Sequence, residues 1–236
     1  MSELIFQMDA YLREFEATVE AVEGEEFSLD RTAFYPGGGG QPSDLGFVIR
    51  EGVRSRVVGV RKGGGEVWHK LESVKLNSGD RIRAELDWER RYTLMRTHTA
   101  MHILCGVVWR DYAASVTGGN MEPGRGRMDF EFERMQRELV EEIQAKINAE
   151  VEAARDLRVA ILPREEAFRI PDLIRTKINL LPPGIAQVRV VEIIGLDLQA
   201  DGGTHVANTR EVGPIKVVDY KSKGALNKRL VIELSS

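Results

Sequence analysis

His98 and His102 stand four residues apart in the run Arg91-Tyr-Thr-Leu-Met-Arg-Thr-His-Thr-Ala-Met-His-Ile-Leu104. Residues at i and i+4 share one face of an α-helix, so two imidazoles in this spacing can grip one metal ion. Neutral imidazole is a nitrogen ligand at physiological pH. Far downstream, Asp201-Gly-Gly-Thr-His205 offers a carboxylate and another imidazole. The chain has four histidines, and three of them fall in these two segments. Brought together, His98, His102, Asp201 and His205 would make a tetrahedral site for one zinc ion. Gly202 and Gly203 would allow backbone geometry closed to other residues and turn Asp201 and His205 toward one point. Thr204 would fix a ligand by hydrogen bonding. The plainer reading is a pair of ordinary helix histidines and an Asp-Gly turn with an incidental histidine. An HExxH metalloprotease is disfavoured, because Thr99 stands where the catalytic glutamate would be.

The elements that must position these residues fall into two sorts. Over the first ~90 residues short apolar–polar alternations read as strands at 17–22, 26–29, 46–50, 55–60, 66–70 and 81–86, punctuated by glycine turns. Several short strands at near-regular spacing predict a small barrel or sandwich. Helical periodicity then sets in from Glu89 to Trp109, with Leu94, Met101, Leu104 and Val108 as its apolar side. A glycine-rich loop is expected at 117–126 and a strand at 127–132. A helix over 135–154 follows, with Leu139, Ile143, Ile147 and Val151 to bury. Further strands are expected at 158–162, 188–193, 215–220 and 228–233, with Gly224 turning the last two into a hairpin. Pro171 and Pro182-Pro183-Gly184 break any helix between. The expected architecture is thus α+β in two domains: a β-barrel over 1–89, and over 90–236 an antiparallel sheet with packed helices that carries the metal ligands.

Composition bounds the function classes. The 236 residues are 42% hydrophobic and 30% charged, a balance that suits a globular protein with a real core. No apolar run approaches the ~20 residues of a membrane span, and the first residues lack the pattern of a secretory signal. The single cysteine, Cys105, excludes an internal disulfide framework and fits a cytoplasmic setting. With a formal net charge of −4, nucleic-acid binding is not announced by the overall balance, so any such contact is local. Two basic stretches qualify: Arg81, Arg83, Arg90, Arg91 and Arg96, and Lys216, Lys221, Lys223, Lys228 and Arg229. Each also reads as an ordinary solvated face. Nothing in the sequence decides between monomer and dimer.

The run Arg96-Thr-His-Thr-Ala-Met-His-Ile-Leu104, with Gly202-Gly-Thr-His-Val206 downstream, resembles the editing domain of alanyl-tRNA synthetase and its free-standing AlaX relatives. Leu29-Asp-Arg-Thr-Ala-Phe-Tyr-Pro-Gly-Gly-Gly-Gly-Gln-Pro-Ser-Asp-Leu-Gly46 is similar to the glycine-rich segment of the barrel preceding that domain in AlaX-M-type proteins. Arg127-Met-Asp-Phe130 resembles the strand that follows the metal helix. The resemblance runs from about Thr18 to Tyr220 and implies a barrel followed by an editing domain shared with threonyl-tRNA synthetase. It implies a zinc-centred, ATP-independent deacylase acting on mischarged tRNA(Ala), with serine, and glycine after it, as the amino acid removed.

The resemblance also implies roles for particular residues. Asp201 takes the position usually held by a metal-binding cysteine, either as a ligand at about 2.0–2.2 Å or displaced to orient a water. Cys105 lies on the same helical face as His98 and His102 and is the rival sulfur donor; its plainer reading is a small buried cysteine. Thr32 becomes a candidate to hydrogen-bond a seryl hydroxyl, and Gly38 and Gly39 belong to the segment said to influence activity. Gln199, Arg127 and Asp129 are further candidates around the substrate, each readable as a plain loop or strand residue. The remaining alternatives are a tRNA-binding paralogue without activity, an iron(II) oxygenase with a two-histidine, one-carboxylate site, and a zinc-stabilised structural domain.

Overall fold

The structure, a computed structural model, describes residues 2–73, 75–132, 135–174, 184–224 and 226–235. Its contacts divide the chain into two compact units, Met1–Thr93 and Leu94–Ser236. Among the described residues no helix is long and apolar enough to cross a membrane.

In the first unit a short strand, β1 (Glu3–Leu4), pairs in parallel with β4 (Arg31–Thr32). Six antiparallel strands close a barrel: β2 (Glu14–Glu23), β3 (Glu26–Leu29), β5 (Gly46–Arg50), β6 (Val53–Gly63), β7 (Glu66–Leu71) and β8 (Arg81–Leu86), in the order β2-β3-β7-β6-β5-β8. The alternation seen in the sequence is what closes it. Phe15, Ala17 and Val19 of β2 and Ile82, Ala84 and Leu86 of β8 point inward, onto Phe27, Leu29, Val48 and Val57. Bulges after Val19 in β2 and after Val57 in β6 add the twist a small barrel needs.

Helix α1 (Trp88–Tyr112) begins in the first unit and runs through the second. Sequence periodicity gave it one apolar side. In the structure Leu94, Met95, Ile103, Leu104, Val107 and Val108 are all buried, as are His98, Thr99 and His102. A helix covered on every side does not need an amphipathic stripe, so its polar residues must find partners inside the protein.

The partners come from two sheets. One is antiparallel, in the order β14 (Ile215–Ser222), β15 (Asn227–Leu234), β10 (Arg125–Glu131), β9 (Val116–Glu122). The other has the order β11 (Leu157–Pro163), β12 (Gln187–Ile193), β13 (Asp197–Ala200). The run 117–126 corrects the loop expectation: most of it is β9, hairpinned to β10. Gly118 and Gly119 pair with Asp129 and Met128 in the ladder, and buried Val116 and Met121 anchor the strand despite its glycines. Gly126 lets α1 come close, since a Cβ there would meet Met101 at 2.9 Å. At the hairpin turn Gly124 N–H donates to Thr97 Oγ1 (3.0 Å), tying it to α1 beside His98.

Helix α2 (Arg137–Glu152) buries Val140, Ile143, Ile147 and Val151, with Leu139 only half-buried. Its Asn148 and Gln144 amides bond the backbone of Ile215 and Val217 on β14. A one-turn helix, α3 (Arg164–Ala167), follows β11. The expected helix break at Pro182-Pro183 lies outside the described residues. Strand β13 was not foreseen; its four residues are too few to show a period.

Candidate metal centre

Four side chains from two distant segments of the second unit converge. One ligand atom each of His98, His102, Asp201 and His205 lies within 4.8 Å of the other three. His98 Nε2 is 3.4 Å and His102 Nε2 3.9 Å from Asp201 Oδ2, and His205 Nε2 is 3.2 Å from Asp201 Oδ1. A tetrahedral ion with arms of roughly 2.1 Å separates its donors by about 3.4 Å, so this donor set fits zinc in both type and spacing. The ring centroids of His98 and His205 are 4.2 Å apart, and those of His102 and His205 4.6 Å. All three imidazoles are buried. Cys105 is buried in α1 and is not among the four.

A second layer aims the ligands. His102 Nδ1–H donates to Asp197 Oδ2 at 3.2 Å, which turns Nε2 toward the centre. Gln199 Nε2 donates to the same oxygen at 2.6 Å and orients it. Thr99 Oγ1 lies 3.2 Å from His205 Nδ1 and plays the corresponding part for that ring. Asp201 is fixed by an Asx turn, its Oδ1 accepting from Gly203 N–H at 2.6 Å. This corrects the expected use of the glycines: neither Gly202 nor Gly203 is in the left-handed region, and a side chain on Gly202 would meet nothing within 4 Å. The carboxylate's own hydrogen bond turns the loop.

The sheet register explains why these residues meet. Val191 pairs with Gln199 and Ile193 with Asp197, while Val190 pairs with Ala200. Directly opposed residues share a face. Val188, Val190, Leu198 and Ala200 therefore form an apolar face packed on Ala167 and Leu173, and Asp197 and Gln199 occupy the other. Gly106, one turn beyond His102, lets this strand approach, since a Cβ there would lie 2.9 Å from Leu196 Cγ and 3.0 Å from Asp197 Cβ.

Without a cation the cluster shares its charge unevenly. Burial pulls His98 down to about 4, only partly opposed by Asp201. Burial also holds His205 well below the usual imidazole range, reinforced by the neighbouring His98. For His102 burial pulls down as well, but Asp197 and Asp201 outweigh it and push the ring up to about 9. Burial alone would raise Asp201; His98, His102 and His205 instead keep it well below the carboxylate range. The result is an anionic carboxylate beside two unprotonated imidazoles and a protonated His102, whose Nε2 proton must leave when a divalent cation binds.

Two family models match the chain: class II (A) tRNA synthetases over residues 5–90, and the second additional domain of threonyl and alanyl tRNA synthetases over residues 188–231. The latter covers Asp197, Asp201 and His205. Over 235 residues the chain is 41% identical to the alanyl-tRNA editing protein AlaX-M of Saccharolobus solfataricus, covering 98% of each protein. This chain belongs to the AlaX-M family. AlaX-M of Methanosarcina barkeri is 36% identical across 99% of both chains. The alanine–tRNA ligase of Ignicoccus hospitalis is 36% identical over 92% of this chain, a stretch making up 24% of the ligase.

The other candidate residues of this AlaX-M family member are placed as follows. Thr204 is fully buried within the ligand loop, and Gln199 acts through Asp197. Arg127 and Asp129 lie on the face of β10 opposite Gly126 and Met128, away from the contact with Met101. There Asp129 takes both oxygens' bonds from Arg229 (2.6 and 2.7 Å), and Arg127 lines a groove of about 360 Å³ with Arg125, Lys221 and Asp219. Thr32, on β4 of the first unit, is fully buried against His69 (2.8 Å) and accepts from Phe34 N–H at 3.1 Å. Gly38 pairs with Gln41 by reciprocal backbone bonds, and the run Gly37 to Gly40 holds positive φ throughout, including Gly38 and Gly39. The residues that sequence reasoning missed are Asp197, Gly106 and Arg189, with Thr99 noted only as the absence of a glutamate. An acidic residue four before Asp201 was visible, but only the register of β13 gives it a face.

Proposed function

We propose that this chain is an aminoacyl-tRNA deacylase that hydrolyses the ester joining serine, and less readily glycine, to the 3′ end of tRNA(Ala). The observation that carries this reading is the convergence of His98, His102, Asp201 and His205 in a chain of the AlaX-M family. In this reading the four residues hold one zinc ion per chain, with Asp201 a ligand. When bound, zinc supplies Lewis acidity that polarises an ester carbonyl and eases attack by water.

The chain's own groups do the positioning. Asp197 and Thr99 keep His102 and His205 presenting Nε2, and the Asx turn holds one oxygen of Asp201 while the other faces His98 and His102. In the same loop Gly203 supplies the N–H of that turn and Thr204 is buried. The ester is already activated, so no ATP is needed. Discrimination against alanine must then rest on a hydroxyl. Thr32 is our candidate on the strength of the family resemblance; its hydroxyl, fully buried, donates to His69 and accepts from Phe34 N–H. A site with such a partner penalises an analogue lacking the hydroxyl. Gly38 and Gly39 would shape the barrel segment next to it. Arg127 and Asp129 we assign to tRNA rather than to the ester. Such an activity serves translation in the cytoplasm.

The test is to follow deacylation of Ser-tRNA(Ala) and Ala-tRNA(Ala) by the zinc-loaded protein. Release of serine at least about 100-fold faster than alanine is expected, a ratio within reach of a hydroxyl-reading site. Equal rates overturn the proofreading assignment. Retained tRNA affinity with no hydrolysis would make the chain a tRNA-binding paralogue instead.

A further inference from the structure

Arg189 is a buried arginine on β12, 8% exposed, with its charge near the ligand cluster. It continues the register that places Val191 opposite Gln199, and so shares the polar face of Asp197 and Gln199. Two bonds join it to Asp201. Asp201 N–H donates to the Arg189 carbonyl at 3.1 Å, and Arg189 Nη1 donates to the Asp201 carbonyl at 2.9 Å. The peptide groups on both sides of the Asp201 Cα are thereby held by one residue. The side chain is then fixed independently by Gly203 N–H on Oδ1.

A cation buried close to His98 opposes the arrival of a second cation, so its place here needs a compensating role. A lone hydrogen bond to a carbonyl could be made by any donor. The planar guanidinium does so from the end of a long stem rooted on the neighbouring strand.

We propose that Arg189 is a positioning residue that sets Asp201 as a metal ligand by clamping its backbone. The inference rests on the metal-centre reading above. Asp201 lies just past the end of β13, where the last backbone bond to β12 is the one to Arg189, so without the added Nη1 bond its carboxylate would be delivered less accurately to His98 and His102. Removal of such a supporting contact typically costs 10–100-fold in metal affinity.

The experiment measures zinc affinity by chelator competition, and the visible spectrum of the cobalt(II)-substituted protein, for the full chain and for Arg189→Met, Arg189→Lys, Asp201→Ala and the Arg189→Met/Asp201→Ala double variant. Arg189→Met is expected to lose roughly 10–100-fold in zinc affinity, with a cobalt spectrum moved toward that of Asp201→Ala. Arg189→Lys should recover part of the loss. In the double variant the arginine change should add almost nothing, because its effect passes through Asp201. Full additivity, or native zinc affinity in Arg189→Met, overturns the inference. Native zinc affinity together with a fall in kcat at unchanged KM would overturn it in favour of direct action on the substrate. Should Arg189→Met fail to fold, Arg189→Lys alone and on Asp201→Ala supplies the same comparison. If the unaltered chain binds neither zinc nor cobalt, the metal-centre reading itself falls, a result distinct from these.

Discussion

The barrel and the second unit each bury histidine, and they use it in opposite ways. His69 lies between Phe27 and Phe34, with ring centroids at 5.1 and 5.4 Å. Its Nδ1 donates to the Phe27 carbonyl and its Nε2 accepts from Thr32, so both nitrogens are spent inside the barrel. His102 is just as buried, but Asp197 takes only one nitrogen and the other meets His98, His205 and Asp201. Burial of an imidazole is therefore no sign of function. Where the second nitrogen goes decides it.

Removing ligands should break the comparison most sharply. Asp201→Ala and His102→Ala are expected to lose zinc and more than about 100-fold of deacylation, beyond the range of supporting contacts. Cys105→Ala and His69→Gln should keep the metal. Zinc content by atomic absorption checks this; a full complement of zinc in Asp201→Ala would remove Asp201 from the coordination shell.

His69 predicts the next largest effect, on stability. Burial pulls it to about 4 from the usual 6.5. Between those values the unfolded chain binds a proton that the folded barrel refuses, so stability falls as pH drops from 6.5 toward 4. The loss should reach about 3 kcal/mol at the acid end of the window. Thermal midpoints against pH should show a drop in the parent chain that is smaller in His69→Gln, which cannot take up a proton; parallel curves would mean that His69 is not the group responsible.

The smallest effect is expected from the second layer. Asp197→Asn keeps shape but weakens the hold on the His102 Nδ1 proton, and should lower zinc affinity by roughly 10–100-fold without loss of folding. Unchanged affinity would reduce Asp197 to a buried packing partner of Gln199.

Most of the barrel was legible in advance. Its strands from β2 to β8 announce themselves by alternation, because each has one face in the core and one in water. Helix α1 was legible as a helix but not as a central one, since its surroundings come from β9 to β15. The hairpin at 116–131 was hidden by glycines that a ladder and two buried side chains override. A loop of short-range polar residues and a paired strand rich in glycine look alike when only neighbours along the chain are considered.

By itself the sequence determined the His98–His102 pair, because a helical turn is a local fact, and the presence of a carboxylate and an imidazole four residues apart downstream. Only the tertiary structure decided that Asp201 enters the cluster, that Asp197 and Thr99 aim two of its rings, and that His69 stays outside it. Those outcomes depend on hydrogen bonds spanning some hundred residues of chain and on which face a short strand presents. No local pattern encodes either.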